Sequence, residues 1–382
     1  MIVTWQPVLT DHQAYTYLAL QEASGLPVVS FVTSKEDSIR KAQGWTDTRV
    51  TVLERRFLPE RGWLAEAKRW LQQSEGAVHI FASPFQQPKL MLVLLMAALF
   101  RARFYLISEP YSPIGAGYYS ARAGGVAALK AALRPLLYRL YMSLLRGRVN
   151  GIFAISRLAQ QQYQAAGVPD SKIMPFGYFV PTEPLSDQSA RQRGAPHSPR
   201  FVFVASLIHR KGIDLLVSAM HDLHQQGVLC EIDFYGPGDP ACLEGVPGAR
   251  YRGIIAFGEA QSVIAGYDLL VLPSRHDGWG VVVNEAVCAG VPVLCSDSTG
   301  AGHVVAGLGA ARLFVSNDSA SLASELARLL SSPALLAQLR TAAPQAAERL
   351  QPGVAAQYMW RHISAAGGLQ RHVAPPWQTE AG

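Results

Sequence analysis

The chain has 382 residues, of which 49% are hydrophobic and 16% charged, and its formal net charge is +6. This length exceeds that of a typical domain with a single hydrophobic core, so the sequence predicts two domains. The longest apolar run, residues 90–100, is too short for a transmembrane helix, which needs about 20 residues. The N-terminus has no basic start followed by a sustained apolar core, so we expect no signal peptide and a cytoplasmic protein.

The positive charge is concentrated in the first part of the chain. Residues 1–150 carry 18 Lys and Arg against 10 Asp and Glu, a net charge of +8, and the remainder carries −2. Such an excess favours nucleic acid, anionic lipid or a phosphorylated substrate as a partner. The four cysteines all lie in the second half without a CxxC pair, which indicates free thiols in a reducing compartment and no metal site.

In chain order, short apolar strands alternate with helices. The first half predicts strands at residues 2–5, 28–33, 50–53, 78–82, 103–108, 152–156 and 173–176. A polar, Pro-rich segment at 182–200 is typical of a linker, and strand–helix alternation resumes at 201–205. Such alternation is typical of parallel sheets that bind ligands beyond the carboxyl ends of their strands. The sequence therefore predicts an α/β fold with Rossmann-like domains at 1–181 and 201–352, followed by a final segment at 353–382.

Two strand–loop–helix units in the second half have the features of anion sites. In residues 266–298, an apolar strand leads into a loop with Gly278 and Gly280 and then into a helix, and Asp277 and Glu285 flank the glycines. Residues 201–212 form a second such unit, whose loop ends in Arg210, Lys211 and a glycine. The N–H groups at a helix N-terminus favour a negatively charged ligand in both places. Taken alone, the two acids could also be a surface acid and a helical acid of an ordinary α/β unit.

These motifs resemble those of retaining family 4 glycosyltransferases with the two-domain GT-B fold, also called glycosyl transferases group 1. The resemblance rests on the string Pro-Ser-Arg-x-Asp-Gly-Trp-Gly-x4-Glu-Ala-x3-Gly-x-Pro-Val and on the Lys-Gly pair of the earlier loop. It implies two Rossmann-like domains that face each other across a cleft, with the last helix crossing back to the first domain. It also implies that Asp277, where relatives usually have Glu, contacts the donor sugar, and that Glu285 accepts hydrogen bonds from the nucleotide ribose.

The resemblance further implies the remaining donor contacts. Lys211 would clamp the donor diphosphate together with Arg210, which stands in for the arginine that relatives carry at the position of Ser206. The implied donor-binding set is Ser206, Arg210, Lys211, Ile254, Asp277, Gly278, Trp279, Gly280 and Glu285. The donor would be a nucleotide-diphosphate sugar. We expect no other cofactor and no metal, because no Asp-x-Asp clamp occurs in a loop.

The acceptor side is expected in the first half. Asp11 and His12 follow the first strand and could bind the acceptor or act on its proton, although Asp11 could simply cap the helix. Glu109 is the only acid between residues 77 and 150 and lies at a strand end, where relatives usually have His. We interpret Glu109 as an acceptor-binding group or general base, with Tyr111 beside it. The predicted catalytic residues are Glu109, Asp277, Arg210 and Lys211.

Residues 110–150 contain six basic residues and no acid, together with a leucine stripe in a predicted helix at 126–145. A basic amphipathic helix is typical of an enzyme that lies on anionic lipid. We therefore predict peripheral binding to the inner face of the cell membrane through Lys130, Arg134, Arg139 and Arg146. The alternative is a core helix whose basic residues merely face water.

Together these features predict a retaining glycosyltransferase that moves a sugar to a lipid-linked glycan in bacterial polysaccharide or glycolipid assembly. Two other hypotheses fit the same fold: a non-catalytic scaffold that binds nucleotide sugars, and a nucleotide-sugar epimerase. Nucleic-acid binding is not expected, because the basic segment is leucine-rich and matches no nucleic-acid-binding module.

Overall fold

The computed structural model describes residues 1–34, 47–73, 76–82, 84–113, 125–184, 198–365 and 374–378. These residues form two parallel β-sheets with helices between successive strands, which confirms the predicted α/β fold with two Rossmann-like units. Most of the predicted linker, residues 185–197, lies outside the described residues.

The first sheet has seven strands in the order β3-β2-β1-β4-β5-β6-β7. The strands are β1 Ile2–Gln6, β2 Val28–Val32, β3 Glu54–Phe57, β4 Val78–Ala82, β5 Arg103–Ser108, β6 Gly151–Ile155 and β7 Ile173–Phe176. The helices of this part are α1 Asp11–Ser24, α2 Trp63–Gln73, α3 Pro88–Leu99, α4 Gly125–Leu145 and α5 Ser156–Ala165. All pairs of neighbouring strands are parallel.

The predicted strand at 50–53 is wrong. The third strand lies instead at Glu54–Phe57, at the edge of the sheet, where it pairs with β2 and is largely exposed. Val50 and Leu53 are nevertheless buried, as part of the segment that leads into the strand. Val52, which lies between them, is 73% exposed, so this run contains buried residues without being a strand. An edge strand can be polar because it needs no apolar face on both sides.

The second sheet has six parallel strands in the order β10-β9-β8-β11-β12-β13. The strands are β8 Phe201–Val204, β9 Ile232–Tyr235, β10 Ala249–Gly253, β11 Leu269–Leu272, β12 Val293–Ser296 and β13 Ala311–Phe314. The helices are α6 Ile213–Gln225, α7 Ala260–Ile264, α8 Val281–Cys288, α9 Gly300–Gly307, α10 Ser319–Ser331, α11 Pro333–Arg349 and α12 Pro352–Ser364. The central strand β11 is fully buried, as expected for a parallel strand covered by helices on both faces.

The last helix, α12, packs against α1 of the first sheet. Its buried side chains Ala355, Met359 and Ile363 join the same apolar cluster as Ala14 and Tyr17 of α1. The hydroxyl of Tyr105 in β5 also donates a hydrogen bond to the carbonyl oxygen of His362 over 3.3 Å. The chain thus returns to its first sheet after completing the second.

The carboxyl ends of the two sheets face each other. Glu109 directly follows β5, and a Cβ added at Gly278, in the loop after β11, would lie 3.1 Å from its Oε2 atom. A further contact brings Ser156, after β6, against Gly300 at the start of α9. These contacts place the loops after β5, β6 and β11 in one cleft. Among the described helices, none combines the length and apolarity needed to cross a bilayer.

Candidate active site

Lys211 is brought to the end of β11 by the glycine that follows it. Gly212 has φ +72°, and a Cβ at this position would lie 1.9 Å from the carbonyl oxygen of Pro273. Only glycine permits both the left-handed backbone and this close approach. As a result, the Lys211 ammonium lies 2.5 Å from Oδ2 of Asp277. Two residues that are 66 positions apart in the sequence thus form one ion pair at the cleft.

The positive charges around Asp277 keep its carboxylate ionised. Burial raises the pKa of Asp277, but the positive charges of Lys211 and Arg210 together lower it by a larger amount. The pKa of Asp277 therefore lies below its ordinary value. Arg210 also donates from Nη1 to the carbonyl oxygen of His276 over 3.3 Å. An ammonium has three N–H donors, and the bond to Asp277 uses one of them. The pair can therefore hold an anion while Asp277 fixes the lysine in place.

The glycine loop is held in place by main-chain hydrogen bonds to the segment that follows β12. The amide of Asp277 donates to Ser298 over 3.0 Å, and the Gly300 amide donates to the Asp277 carbonyl over 3.1 Å. Gly280, with φ +87°, is the N-cap residue of α8. The loop is thus fixed at the N-terminus of a helix, where the helix dipole favours an anionic ligand.

The side chain of Trp279 faces the protein interior, not the cleft. Its indole is 2% exposed and donates from Nε1 to Oδ1 of Asn284 over 2.8 Å. A Cβ at Gly177 would lie 2.2 Å from the indole ring, so the first part of the chain packs directly on it. Any contact between Trp279 and a donor would therefore be made by its main chain.

Glu109 is held by a residue that the sequence did not single out. The hydroxyl of Tyr178, which lies just beyond β7, donates to Oε1 of Glu109 over 2.6 Å. The carbonyl oxygen of Tyr178 accepts a hydrogen bond from Nδ2 of Asn284 over 3.0 Å. Tyr178 follows the stretch Pro175-Phe176-Gly177 in the sequence, and no motif there marks it as a partner of Glu109.

Asp11 and His12 are both buried at the start of α1. The suggestion that Asp11 caps the helix is wrong, because the cap is Thr10, whose hydroxyl bonds to the side chain of Gln13 over 2.9 Å. The Asp11 carboxylate instead accepts hydrogen bonds from Thr48 over 2.7 Å and from Arg49 over 2.8 Å. The His12 ring packs against the Tyr178 ring at a tilt of 46°, with 4.0 Å between ring centroids, so it lies beside the Glu109 network.

Arg49 joins three parts of the chain and was not predicted from the sequence. It pairs with Asp11 over 2.8 Å and with Glu183 over 2.9 Å. Its guanidinium also lies 5.7 Å from the ring centroid of Phe257 in the second part of the chain. Because Glu183 lies between the two sheets in sequence, Arg49 connects the first sheet, the connecting segment and the second part.

Glu285 lies in α8, within electrostatic range of this arginine. Burial raises the pKa of Glu285 to about 7, with a further contribution from the negative charges of Glu183 and Asp11, while Arg49 acts in the opposite direction. Since the folded state holds the neutral form, this carboxyl contributes stability that is present below its ordinary pKa and is lost as the pH rises through about 7.

Replacing Glu285 by Gln should remove this loss of stability at high pH, because glutamine does not titrate. We expect the thermal midpoint of E285Q to exceed that of the wild-type protein at pH 8 and to match it near pH 4.5. Each kcal/mol corresponds to roughly 2–4 °C for a domain of about 150–250 residues. Differential scanning fluorimetry between pH 4.5 and 8.5 measures this difference.

E66Q is the matched control for the E285Q variant. A hydrogen bond from Arg69 lowers the pKa of Glu66, so its titration falls below the pH range in question. We expect E66Q to keep the wild-type slope between pH 5 and 8. Parallel curves for E285Q and wild type would contradict the raised pKa.

The other predicted ligand-binding residues lie at strand ends. Ser206 comes two residues after β8, and Ile254 directly follows β10 and is 58% exposed. The Tyr111 amide donates to the side chain of Gln162 over 2.7 Å, and its ring lies 5.3 Å from that of Tyr138 in α4. Among the described residues, the structure shows no cluster of His, Cys, Asp or Glu able to hold a metal ion.

The predicted membrane residues lie on or near α4. Arg139 and Arg146 are exposed, and each donates to a carbonyl oxygen at the end of α5, over 3.1 Å to Ala165 and over 3.4 Å to Gly167. Arg134 donates to the carbonyl oxygen of Ser112 over 3.5 Å. The side chain of Lys130 lies outside the described residues.

Residues 198–332 match the family model for glycosyl transferases group 1. Among curated proteins, the chain is 28% identical over 200 residues to the amylovoran biosynthesis glycosyltransferase AmsK of Erwinia amylovora, covering 47% of each chain. It is 26% identical over 236 residues to the alpha-D-kanosaminyltransferase of Streptomyces kanamyceticus, covering 57% of this chain and 58% of the relative. The chain thus spans about half the length of these relatives.

Solved structures extend the similarity of the fold to nearly the whole chain. HepE of Anabaena in complex with UDP superimposes with a TM-score of 0.67 at 14% identity, covering 95% of this chain and 99% of that one. A sucrose-phosphate synthase from Thermosynechococcus elongatus gives a TM-score of 0.65 at 17% identity, covering 96% and 100%. The chain therefore has the GT-B fold, and its residues 198–332 form a glycosyl transferases group 1 domain.

Proposed function

We propose that this protein is a glycosyltransferase that moves a sugar from a nucleotide-diphosphate sugar to an acceptor. The observation that carries the proposal is the Lys211–Asp277 pair at the glycine loop, opposite Glu109 of the first sheet. In this arrangement, Lys211 offers a positive charge that can bind a diphosphate, and Glu109 offers a carboxylate that can bind an acceptor hydroxyl. Both groups lie in the same cleft. The curated relatives are glycosyltransferases by name, and HepE was solved with UDP, which supports the same type of donor here.

In the proposed reaction, an acceptor hydroxyl attacks the anomeric carbon of the donor sugar from the same face that the diphosphate leaves, so that the configuration is retained. The bond between that carbon and the diphosphate oxygen breaks, and its electron pair stays on the diphosphate. Lys211 and Arg210 stabilise the negative charge that develops there, as preorganised positive groups do in other enzymes. The Glu109 carboxylate takes the proton of the acceptor hydroxyl. The amides of Gly278, Trp279 and Gly280 hold the sugar and diphosphate, and Glu285 holds the ribose.

Retention of the anomeric configuration is part of the proposal and rests on the resemblance of residues 273–293 to the family 4 motif. The test is a panel of nucleotide sugars, screened first for thermal stabilisation and then for turnover with and without acceptors. Transfer to an acceptor supports the proposal, and NMR of the product reports the anomeric configuration. Binding without turnover would favour the scaffold, and conversion of the donor sugar without an acceptor would favour the epimerase.

We further propose that the acceptor is lipid-linked and that the first part of the chain rests on an anionic membrane surface. Helix α4 turns most of its leucines outward: Leu129, Leu133, Leu136, Leu137, Leu140 and Leu144 are between 39% and 62% exposed. Helix α3, which contributes to the same apolar cluster as the buried side of α4, exposes Leu92, Leu95 and Leu99. Exposed leucines beside basic residues are typical of helices that lie in the lipid interface.

Replacing the exposed residues Leu136 and Leu140 together by Ser is expected to weaken binding to anionic vesicles by about tenfold or more. Each leucine would lose its contribution from apolar burial in the lipid, about 1.5–3 kcal/mol for full burial. Because both side chains face solvent, the fold should persist. The measurement is flotation with vesicles of graded phosphatidylglycerol content at low and high salt.

The matched control is L229S, since Leu229 is 58% exposed but belongs to the second part of the chain. This variant should float with vesicles like the wild-type protein. If the wild-type protein stays in the bottom fraction at every lipid composition, the membrane proposal is wrong, and a water-soluble glycan or small molecule becomes the better acceptor hypothesis.

A further inference from the structure

Tyr178 occupies the point where the first sheet, the connecting segment and the donor loop meet. It follows β7 by two residues and precedes the chain's entry into the second sheet. Its side chain is 7% exposed, so it is enclosed by the residues it contacts. Those contacts divide into one set from the first sheet and one from the second.

On the side of the second sheet, the main chain of Tyr178 is tied to α8. Its carbonyl oxygen accepts from Nδ2 of Asn284 over 3.0 Å, and Oδ1 of the same amide accepts from Trp279 over 2.8 Å. Asn284 is fully buried, and both ends of its side-chain amide are used in these two bonds. Since a buried amide without partners is costly, this arrangement fixes the Tyr178 backbone relative to the glycine loop.

On the side of the first sheet, the Tyr178 ring lies against His12, and its hydroxyl bonds to Glu109 over 2.6 Å. This bond engages one carboxylate oxygen, Oε1. The second oxygen, Oε2, is the atom nearest to a Cβ added at Gly278. The hydroxyl therefore holds the carboxylate so that its other oxygen points at the donor loop.

A purely structural role would require only the ring, which a phenylalanine would supply equally well. The hydroxyl adds a directional bond to a charged group, and such bonds are shorter and stronger than neutral ones. Because Tyr178 is also tied to the glycine loop through Asn284, it couples the position of Glu109 to the position of the donor site.

We propose that Tyr178 is a positioning residue for the transfer reaction, acting through Glu109. This inference rests on the proposed function and names the residue that sets the acceptor-activating carboxylate against the donor loop. Loss of the hydroxyl leaves the ring, the main-chain bond to Asn284 and the donor site in place. It therefore slows transfer without weakening donor binding.

The experiment compares Y178F with the wild-type protein in steady-state transfer assays and in calorimetric titration with UDP. We expect kcat to fall about tenfold, the scale of one hydrogen bond to a charged group. The KM for the donor and the Kd for UDP should stay within about twofold of wild type. The control is Y251F, which loses a hydroxyl that bonds to the Gly236 carbonyl over 3.0 Å in the second sheet, and which should keep the wild-type kcat.

A double-mutant cycle distinguishes positioning from packing. In an E109Q background, Y178F should have no further effect on kcat, because Tyr178 acts through the carboxylate that is already absent. A wild-type kcat in Y178F would overturn the proposal. A tenfold loss that persists unchanged in the E109Q background would also overturn it, since the hydroxyl would then act independently of Glu109. Sugar transfer by the wild-type protein is measured in parallel and tests the proposed function by itself. If the wild-type protein transfers no sugar, the proposed function fails, whatever the variants show.

Discussion

Replacing Lys211 by Ala is expected to weaken the binding of UDP by about 1.5–3 kcal/mol, which is about 10- to 150-fold in Kd. The ammonium is largely buried and lies at the glycine loop, so a phosphate contact there is only weakly screened by solvent. Isothermal titration calorimetry with UDP measures the change directly. An affinity equal to that of the wild-type protein would show that Lys211 serves only to neutralise Asp277.

The loss of Lys211 also leaves Asp277 without its ion-pair partner, and an uncompensated carboxylate in this setting destabilises the fold. The double variant K211A/D277N removes that charge as well, so the difference between its UDP affinity and that of D277N reports the ammonium alone. The matched control is K172A. Lys172 donates to the carbonyl oxygens of Arg146 and Val149 over 2.8 and 2.7 Å, away from the glycine loop, and its loss should leave UDP binding unchanged.

Replacing Glu109 by Gln is expected to lower the transfer rate by about 10²–10⁴-fold, the usual range for the loss of a general base. Glutamine keeps an oxygen that can accept the Tyr178 hydroxyl, so the local packing should persist. What disappears is the negative charge that would take the acceptor proton. Affinity for UDP should remain that of the wild-type protein, which separates this variant from K211A.

The E66Q variant serves as a control here too, because Glu66 pairs with Arg69 on the surface of α2. It should show the wild-type transfer rate. A fully active E109Q would mean that another group accepts the proton, and Glu109 would then remain only an acceptor-binding candidate.

The two-sheet fold and the donor loop could be predicted from the sequence because both are local patterns. Buried parallel strands appear in the sequence as apolar runs. Lys211 and Asp277 each lie in a short motif that follows such a run. The contact between these two residues needed only the rule that parallel strands end at the same edge of a sheet.

The network around Glu109 could not be predicted in this way. Tyr178 is 69 positions from Glu109, and Asn284 is 106 positions from Tyr178. Arg49 is 134 positions from Glu183. Each contact joins parts of the chain that are far apart in sequence, and the contact between Tyr178 and Asn284 also depends on how the two sheets face each other. An isolated tyrosine, asparagine or arginine carries no pattern that reveals such a partner. The exposure of the leucine stripe of α4 could not be predicted either. The spacing of the leucines shows that they share one face of a helix, but not whether that face is buried or exposed.

The return of α12 to the first sheet has a consequence for synthesis on the ribosome. The apolar face of α1, including Ala14 and Tyr17, is covered by residues made more than 300 positions later in the chain. At roughly 5–20 residues per second, that face waits on the order of 20–70 s for its partner. During this interval the nascent first sheet presents an uncovered apolar surface, while the second sheet, whose strands are consecutive in sequence, can close without waiting.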